Sequence, residues 1–418
     1  MKRNVKYIIA VADGMADEPL AALGGRTPIQ AARTPCMDLL AQSAFVGLLR
    51  TVPPGMPPGS DVANLSLFGY PPAECYTGRA PLEAASMGIE LGPEDLAFRC
   101  NLVRLRKTHD QEIMADYSGG GLATSLAGQC IQVLNERLRD ARISFHPGVS
   151  YRHVLLWKEA RRPFDGLQTT PPHDITDQAV EPFLPLGPGS HEVRMLMGRA
   201  REVLASCLPP SIAARLEGKT NSIWLWGQGP APRMSTLVER FGIRGATVCA
   251  VDLIKGLGRC AGLEAIEVAG ATGDLDTNYR GKASAVLKAL ENLDFVFLHV
   301  EAPDEASHRG DLQAKIEAIE HFDADVLAPL CDGLNASGNP YRILLCPDHP
   351  TPLRTRTHSK EPVPFLLFSH PAVLAPNGLA MGPLLCPSTF DEDSAASTGL
   401  FIEQGHRILD LLLEGTGS

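Results

Sequence analysis

The chain has 418 residues, of which 44% are hydrophobic and 21% charged, with a formal net charge of -10. That length exceeds a typical single core and predicts two domains, while the acidic balance and scattered Lys and Arg exclude a basic face for nucleic acid. The ten Cys include no C-x-x-C pair, and no charged start followed by an apolar run precedes the first strand-like stretch, so a reduced cytoplasmic protein without a membrane anchor is expected.

In chain order, 7–12 (YIIAVA) reads as a buried strand that stops at Asp13-Gly14. Helical periodicity follows over 27–45, and Pro35 should interrupt it. A rigid Pro/Gly loop over 51–59 leads to Ser60, and 61–68 (DVANLSLF) then reads as a helix with Ser60 as its N-cap candidate, at the positive end of the helix dipole. A plain cap is the simplest role for such a serine. Residues 76–91 present Arg79 on a glycine turn before another helix. From about 96 to 211 the texture changes to short alternating runs, Pro-rich loops and two helix-like segments, 124–138 and 191–208. This predicts an inserted α+β domain over 96–211, carried by an α/β core of 1–95 and 212–418.

The α/β rhythm resumes with SIWLWG (222–227), ATVCAVD (246–252), LEAIEVAG (263–270), DFVFLHV (294–300), RILLCPD (342–348) and PFLLFS (364–369). Leu312, Ile316, Ile319, Phe322, Val326 and Leu330 form one apolar stripe suited to cover a sheet face. DFVFLHV runs into Glu301-Ala-Pro-Asp304, with His308 an i, i+4 partner of Asp304 if a helical turn begins there. RILLC runs into Pro347 and then Asp348-His349, with His358 in the polar loop beyond. Ligands bind at the carboxyl ends of strands in an open α/β sheet. Three strand ends thus deliver Asp13, Asp304 with His308, and Asp348 with His349 to what would be one edge.

Carboxylates and imidazoles at one edge suit two divalent cations that clamp a phosphoryl group, manganese or zinc before magnesium. A serine beside them would be activated as a nucleophile. Taken singly, each element also has an ordinary reading: Asp-His after a strand is a common hydrogen-bonded loop pair, and Asp-x-x-x-His a common helix surface contact.

A set of longer motifs, in order, carries a resemblance: VADGMADEPLAALGGRTPIQAARTP, PPGSDVANLSLFGY, YTGRAPLEAASMGIELGPEDLAFRCNLV, PGVSYRHVLLW, TTPPHDIT, GATGDLDTNYRGKA, HVEAPDEASHRGD and CPDHPTPLRTRTHSKEPVPF. Across nearly its whole length the chain resembles cofactor-independent phosphoglycerate mutase of the archaeal-type branch, within the alkaline phosphatase superfamily. The resemblance implies an alkaline-phosphatase-like three-layer core with an inserted cap, two bound divalent metal ions, and no bisphosphoglycerate cofactor. It makes Ser60 a transiently phosphorylated nucleophile, assigns Asp13, Ser60, Asp348 and His349 to one metal, and assigns Asp304, His308 and His358 to the other. The implied activity interconverts 3- and 2-phosphoglycerate. Another small hydroxylated acceptor such as homoserine, served by a phosphotransferase or phosphatase of the same superfamily, is the alternative.

The chain departs from the bacterial-type pattern, which has a His shortly after the nucleophilic Ser; here Ala63-Asn64 stand there. For the anionic ends of a small phosphorylated substrate, Arg79, Arg152 with His153, Lys255 and Lys282 are the candidates. His173 and Asp174 are further cap candidates, equally suited to a structured loop. The absence of a GxxxxGK[ST] loop disfavours an ATP-dependent kinase.

Overall fold

A computed structural model describes residues 5–216, 218–371 and 386–413, and no helix among them is long and apolar enough to cross a membrane. In chain order the strands are β1 (Lys6–Ala12), β2 (Phe45–Leu49), β3 (Leu96–Lys107), β4 (Glu112–Asp116), β5 (Ile143–His146), β6 (Arg152–Trp157), β7 (Ser222–Gly229), β8 (Gly245–Val248), β9 (Glu264–Ile266), β10 (Phe295–Val300), β11 (Tyr341–Cys346), β12 (Val363–His370) and β13 (Phe401–Ile402). The protein is of mixed α/β class. Its contacts group the chain into two compact units, Met1–Tyr76 with Met234–Ser418, and Thr77–Arg233.

The first unit is built on a sheet with strand order β13-β2-β12-β11-β1-β10-β8-β9. β1 lies between β10 and β11, parallel to both, and every residue of the three is buried. Burial on both faces is why they read as unbroken apolar runs rather than alternating ones. Val11 pairs with Cys346 and Ala12 with Val300. Carried onward, those registers set Asp13 level with both Asp348 and Glu301, so the shared edge follows directly from the pairing. The predicted apolar stripe runs through the helix Leu312–His321, a π-helical turn Phe322–Leu327 and the helix Ala328–Ser337. Ile319, Phe322, Val326 and Leu330 are buried in the core that also holds β1, β10 and β11 side chains.

In the second unit β3 is the hub, pairing antiparallel with β4, β6 and β7, while β5 pairs with β6. The helices Thr124–Leu138 and Ser190–Ser206 pack into this unit's core with Trp157 and Trp224. One strand differs from expectation. β7, read from sequence as part of the resumed α/β rhythm, belongs to this sheet and pairs Leu225 with Cys100. A six-residue apolar run states that a strand is buried but carries no information about which sheet receives it.

Candidate metal and nucleophile centre

The helix Ala302–Arg309 begins two residues after β10, and its first turn carries Asp304 while its last carries His308. As the i, i+4 spacing predicts, His308 Nε2 lies 3.1 Å from Asp304 Oδ2. His358 joins from its loop: its Nε2 stands 3.0 Å from His308 Nε2 and 3.6 Å from Asp304 Oδ1. His308 Nδ1 faces the Arg356 carbonyl oxygen at 2.9 Å, so Nδ1 donates there and Nε2 is left as the inward-facing atom. A ring held from behind in this way is the usual setting of a metal-binding histidine.

The second donor group is Asp13, Asp348 and His349, all buried. His349 Nε2 is 3.6 Å from Asp13 Oδ1, 3.5 Å from Asp348 Oδ2 and 3.1 Å from the Ser60 hydroxyl. In each group the donor atoms lie within 4.8 Å of one another. The groups adjoin, with the His349 and His358 ring centroids 4.0 Å apart. Ser60 is the first residue of the helix Ser60–Leu67, and Gly59 occupies the cap position without a side-chain capping bond. The serine hydroxyl is therefore turned to the donor group instead of serving as the N-cap expected from sequence.

Four residues to which the sequence assigned no site role support these groups. Asn64 Nδ2 donates to Asp348 Oδ2 at 2.7 Å and to the Ser60 carbonyl at 2.8 Å, so the position that departs from the bacterial-type pattern braces a carboxylate of the donor group. Thr351 Oγ1 donates to Asp304 Oδ1 and faces His349 Nδ1 at 3.2 Å. Since its one proton goes to Asp304, it accepts from Nδ1 of His349, which leaves Nε2 of that ring free toward Ser60. Glu301 and His299 lie behind Asp13, and His299 Nε2 stands 3.5 Å from Asp13 Oδ2. The contacts to Asp348, Asp304 and Asp13 have no local signature, because each joins segments remote in sequence.

The electrostatics fit divalent cations. Burial, then the nearby Asp348 and Asp304 carboxylates, push Asp13 well above the ordinary carboxylate range. Burial also opposes the charge on Asp304, but hydrogen bonds from His308 and His358 outweigh it and hold that carboxyl well below its usual value. The bond to Asp304 raises His308 to about 9. Asp13 Oδ1 and Asn64 Oδ1 are buried without a hydrogen-bond partner. Crowded carboxylates, inward-facing imidazole nitrogens and unpartnered oxygens together form a donor set whose charge cations would balance.

The substrate candidates lie in varied settings. In the second unit, Arg79 is half exposed and 3.8 Å from Glu83, and Arg152 is exposed with its guanidinium 5.7 Å from the Tyr151 ring. His153 is buried, its Nδ1 accepting from the Gly148 amide, and burial pushes it down to about 3. Arg99, not singled out from sequence, is buried against Glu83 at 3.0 Å with its guanidinium 4.2 Å from the Trp226 ring. His173 is exposed, 3.6 Å from Asp174, and meets the Trp226 ring edge-on. In the first unit, Lys255 pairs with Glu267 at 2.9 Å. Lys282 is fully buried and bonded to Glu301 and the His299 carbonyl, a setting that offers no surface to a substrate.

A family model described as 2,3-bisphosphoglycerate-independent phosphoglycerate mutase matches residues 41–207. The chain is 50% identical over 413 residues to a probable 2,3-bisphosphoglycerate-independent phosphoglycerate mutase of Geobacter sulfurreducens, covering 98% of this chain and 100% of that one. It is 47% identical to a mutase of the same description from Methanothrix thermoacetophila, again over 98% and 100% of the two chains. Among solved structures it is similar to a protein from Pyrococcus horikoshii, with a TM-score of 0.79, 28% identity and coverage of 100% and 99%. It shares its fold with a cofactor-independent phosphoglycerate mutase from Thermoplasma acidophilum, with a TM-score of 0.67, 23% identity and coverage of 99% and 100%.

Proposed function

Because the chain belongs to the 2,3-bisphosphoglycerate-independent phosphoglycerate mutase family, we propose that it interconverts 3-phosphoglycerate and 2-phosphoglycerate through a phosphoserine at Ser60. The observation that carries this reading is the Ser60 hydroxyl, 3.1 Å from His349 Nε2 of one donor group, whose ring lies 4.0 Å from that of His358 in the other. Two divalent cations, manganese or zinc, held by Asp13, Ser60, Asp348 and His349 and by Asp304, His308 and His358, would act as Lewis acids on the phosphoryl oxygens and favour the serine alkoxide.

The residues of the chain do the rest. The helix start and the His349 contact hold Ser60 Oγ in one place, ready to attack. Its bond to phosphorus forms as the bond from phosphorus to the substrate's 3-oxygen breaks, and the hydroxyl proton of Ser60 ends on that leaving oxygen. The glycerate turns in the site, its 2-oxygen bonds to phosphorus as the bond from phosphorus to Ser60 Oγ breaks, and the 2-hydroxyl proton ends on Ser60 Oγ. The same steps run backwards from 2-phosphoglycerate, so the reaction is an isomerisation with no net consumption of water.

For substrate recognition, Arg79, Arg99 and Arg152 in the second unit have Glu83 as the carboxylate near at least two of them. That surplus of guanidinium suits the carboxylate or phosphate of the substrate, which a planar fork binds with two parallel bonds. We assign the second unit to substrate recognition on this ground, with His173 beside Trp226 as a further contact.

The test is turnover of the purified, manganese-loaded protein on 3-phosphoglycerate with no added bisphosphoglycerate. Formation of 2-phosphoglycerate is expected. Release of inorganic phosphate without it would replace the mutase with a phosphatase.

A further inference from the structure

Behind Asp13 the interior of the first unit holds a row of charged groups that the phosphoryl-transfer steps do not use. Lys282 is fully buried, and its ammonium donates to Glu301 Oε2 and to the His299 carbonyl oxygen, each at 3.0 Å. Glu301 Oε1 in turn accepts from the Ala250 and Val251 amides at 3.2 Å and faces His299 Nδ1 at 3.2 Å. His299, itself fully buried, turns its other nitrogen toward Asp13 Oδ2 at 3.5 Å. Asp13 Oδ1 points the opposite way, 3.6 Å from His349 Nε2.

From Asp13 inward the order is carboxylate, imidazole, carboxylate, ammonium. Glu301 faces donors on Lys282, two backbone amides and the His299 ring, the Lys282 ammonium also donates to a backbone carbonyl, and His299 Nε2 is buried with Asp13 Oδ2 as the carboxylate oxygen it approaches. A buried Lys–Glu pair contributes little net stability on its own, because desolvating two charges offsets their attraction. A row of this kind does, however, hold its members in one geometry, and strand pairing sets it under Asp13: Val11 is opposite His299, and Ala12 opposite Val300.

We propose that His299 is a positioning residue for Asp13, held from behind by Glu301 and Lys282, and that it keeps Asp13 Oδ1 turned to the donor group of Asp348, His349 and Ser60. The inference rests on the reading of Asp13 as a metal ligand. It also gives Lys282 a role as the anchor of this row. Partners that orient a ligating side chain from the second layer typically carry about a 10–100-fold effect on metal affinity.

The experiment titrates Mn2+ into the metal-free full chain by calorimetry and compares wild type, His299→Asn, His299→Gln and His308→Ala. Asn keeps an amide where Nδ1 met Glu301 but reaches nothing at Asp13; Gln extends an amide to the position of Nε2. Expected for His299→Asn is stoichiometry of two with one site weakened roughly 10–100-fold and the other unchanged, and partial recovery in His299→Gln. His308→Ala should remove the other site. If wild type fails to bind two Mn2+, the metal-centre reading falls. If wild type binds two and His299→Asn binds both with unaltered affinity, or Gln recovers nothing that Asn loses, the positioning role falls while that reading stands. Should His299→Asn fail to fold by circular dichroism, Glu301→Gln is titrated in its place, with the same weakening of one site expected and unaltered affinity overturning the proposal.

Discussion

Ser60 is half-buried and its hydroxyl meets His349 rather than the core, so the side chain matters to chemistry and little to folding. Ser60→Ala is expected to leave thermal stability within about 0.5 kcal/mol, as a substitution away from packed features does, and to reduce mutase turnover to background. Labelled phosphate carried on the protein after incubation with substrate checks the intermediate, and a variant that still turns over at a substantial rate would remove the phosphoserine. Gly14 is the neighbouring residue that tolerates least. It adopts φ +61, and a Cβ there would lie 2.5 Å from Asp304 Oδ1 and 2.7 Å from Thr351 Oγ1. The glycine after Asp13 was visible in the sequence; that its missing side chain makes room for the opposite donor group was not, because the crowding atoms come from residues about 300 positions away in the chain.

At the scale of elements, the donor edge is tied down by a buried network beneath the turn after β1. Lys315, on the helix Leu312–His321, donates to Asp17 Oδ2 at 2.8 Å and to the Thr351 carbonyl at 3.0 Å. Glu392, from the helix Glu392–Ser397, accepts from the Asp17 amide at 3.1 Å and from the Thr27 hydroxyl at 2.7 Å. Burial pushes Glu392 up to about 7 from an ordinary 4.5. A carboxyl whose folded pKa is raised binds its proton more tightly in the native state. Its contribution to stability is therefore full below about 4.5 and is lost as pH rises through about 7. Between those values, wild type should lose up to roughly 3 kcal/mol relative to Glu392→Gln, which does not titrate. Urea melts of both proteins at several pH values measure the difference, and parallel curves would show that Glu392 is not the titrating group.

For the molecule as a whole, binding of cations to the native state alone should raise the melting temperature, by the equivalent of about 2.7 kcal/mol at one site when the free ion stands at a hundred times its dissociation constant. His308, raised to about 9 by Asp304, must give up its proton to become a ligand. The melting gain from added Mn2+ is therefore expected to be larger at pH 8 than at pH 6, and an equal or smaller gain at pH 8 would argue against His308 as a ligand. Much of this was readable in advance, since a buried apolar run followed by Pro or Gly is a local property: it placed Asp13, Asp304 and Asp348 at strand ends, and the i, i+4 spacing placed His308 over Asp304. The family followed from the order of the longer motifs. Other features came into view only in the folded chain: Asn64 under Asp348, Thr351 between His349 and Asp304, His299 behind Asp13, Arg99 against Trp226, and β7 paired with β3. Each is a match of shape, donor and acceptor between segments far apart in the chain, and such matches are selected by packing, which leaves no mark on the residues nearby in sequence.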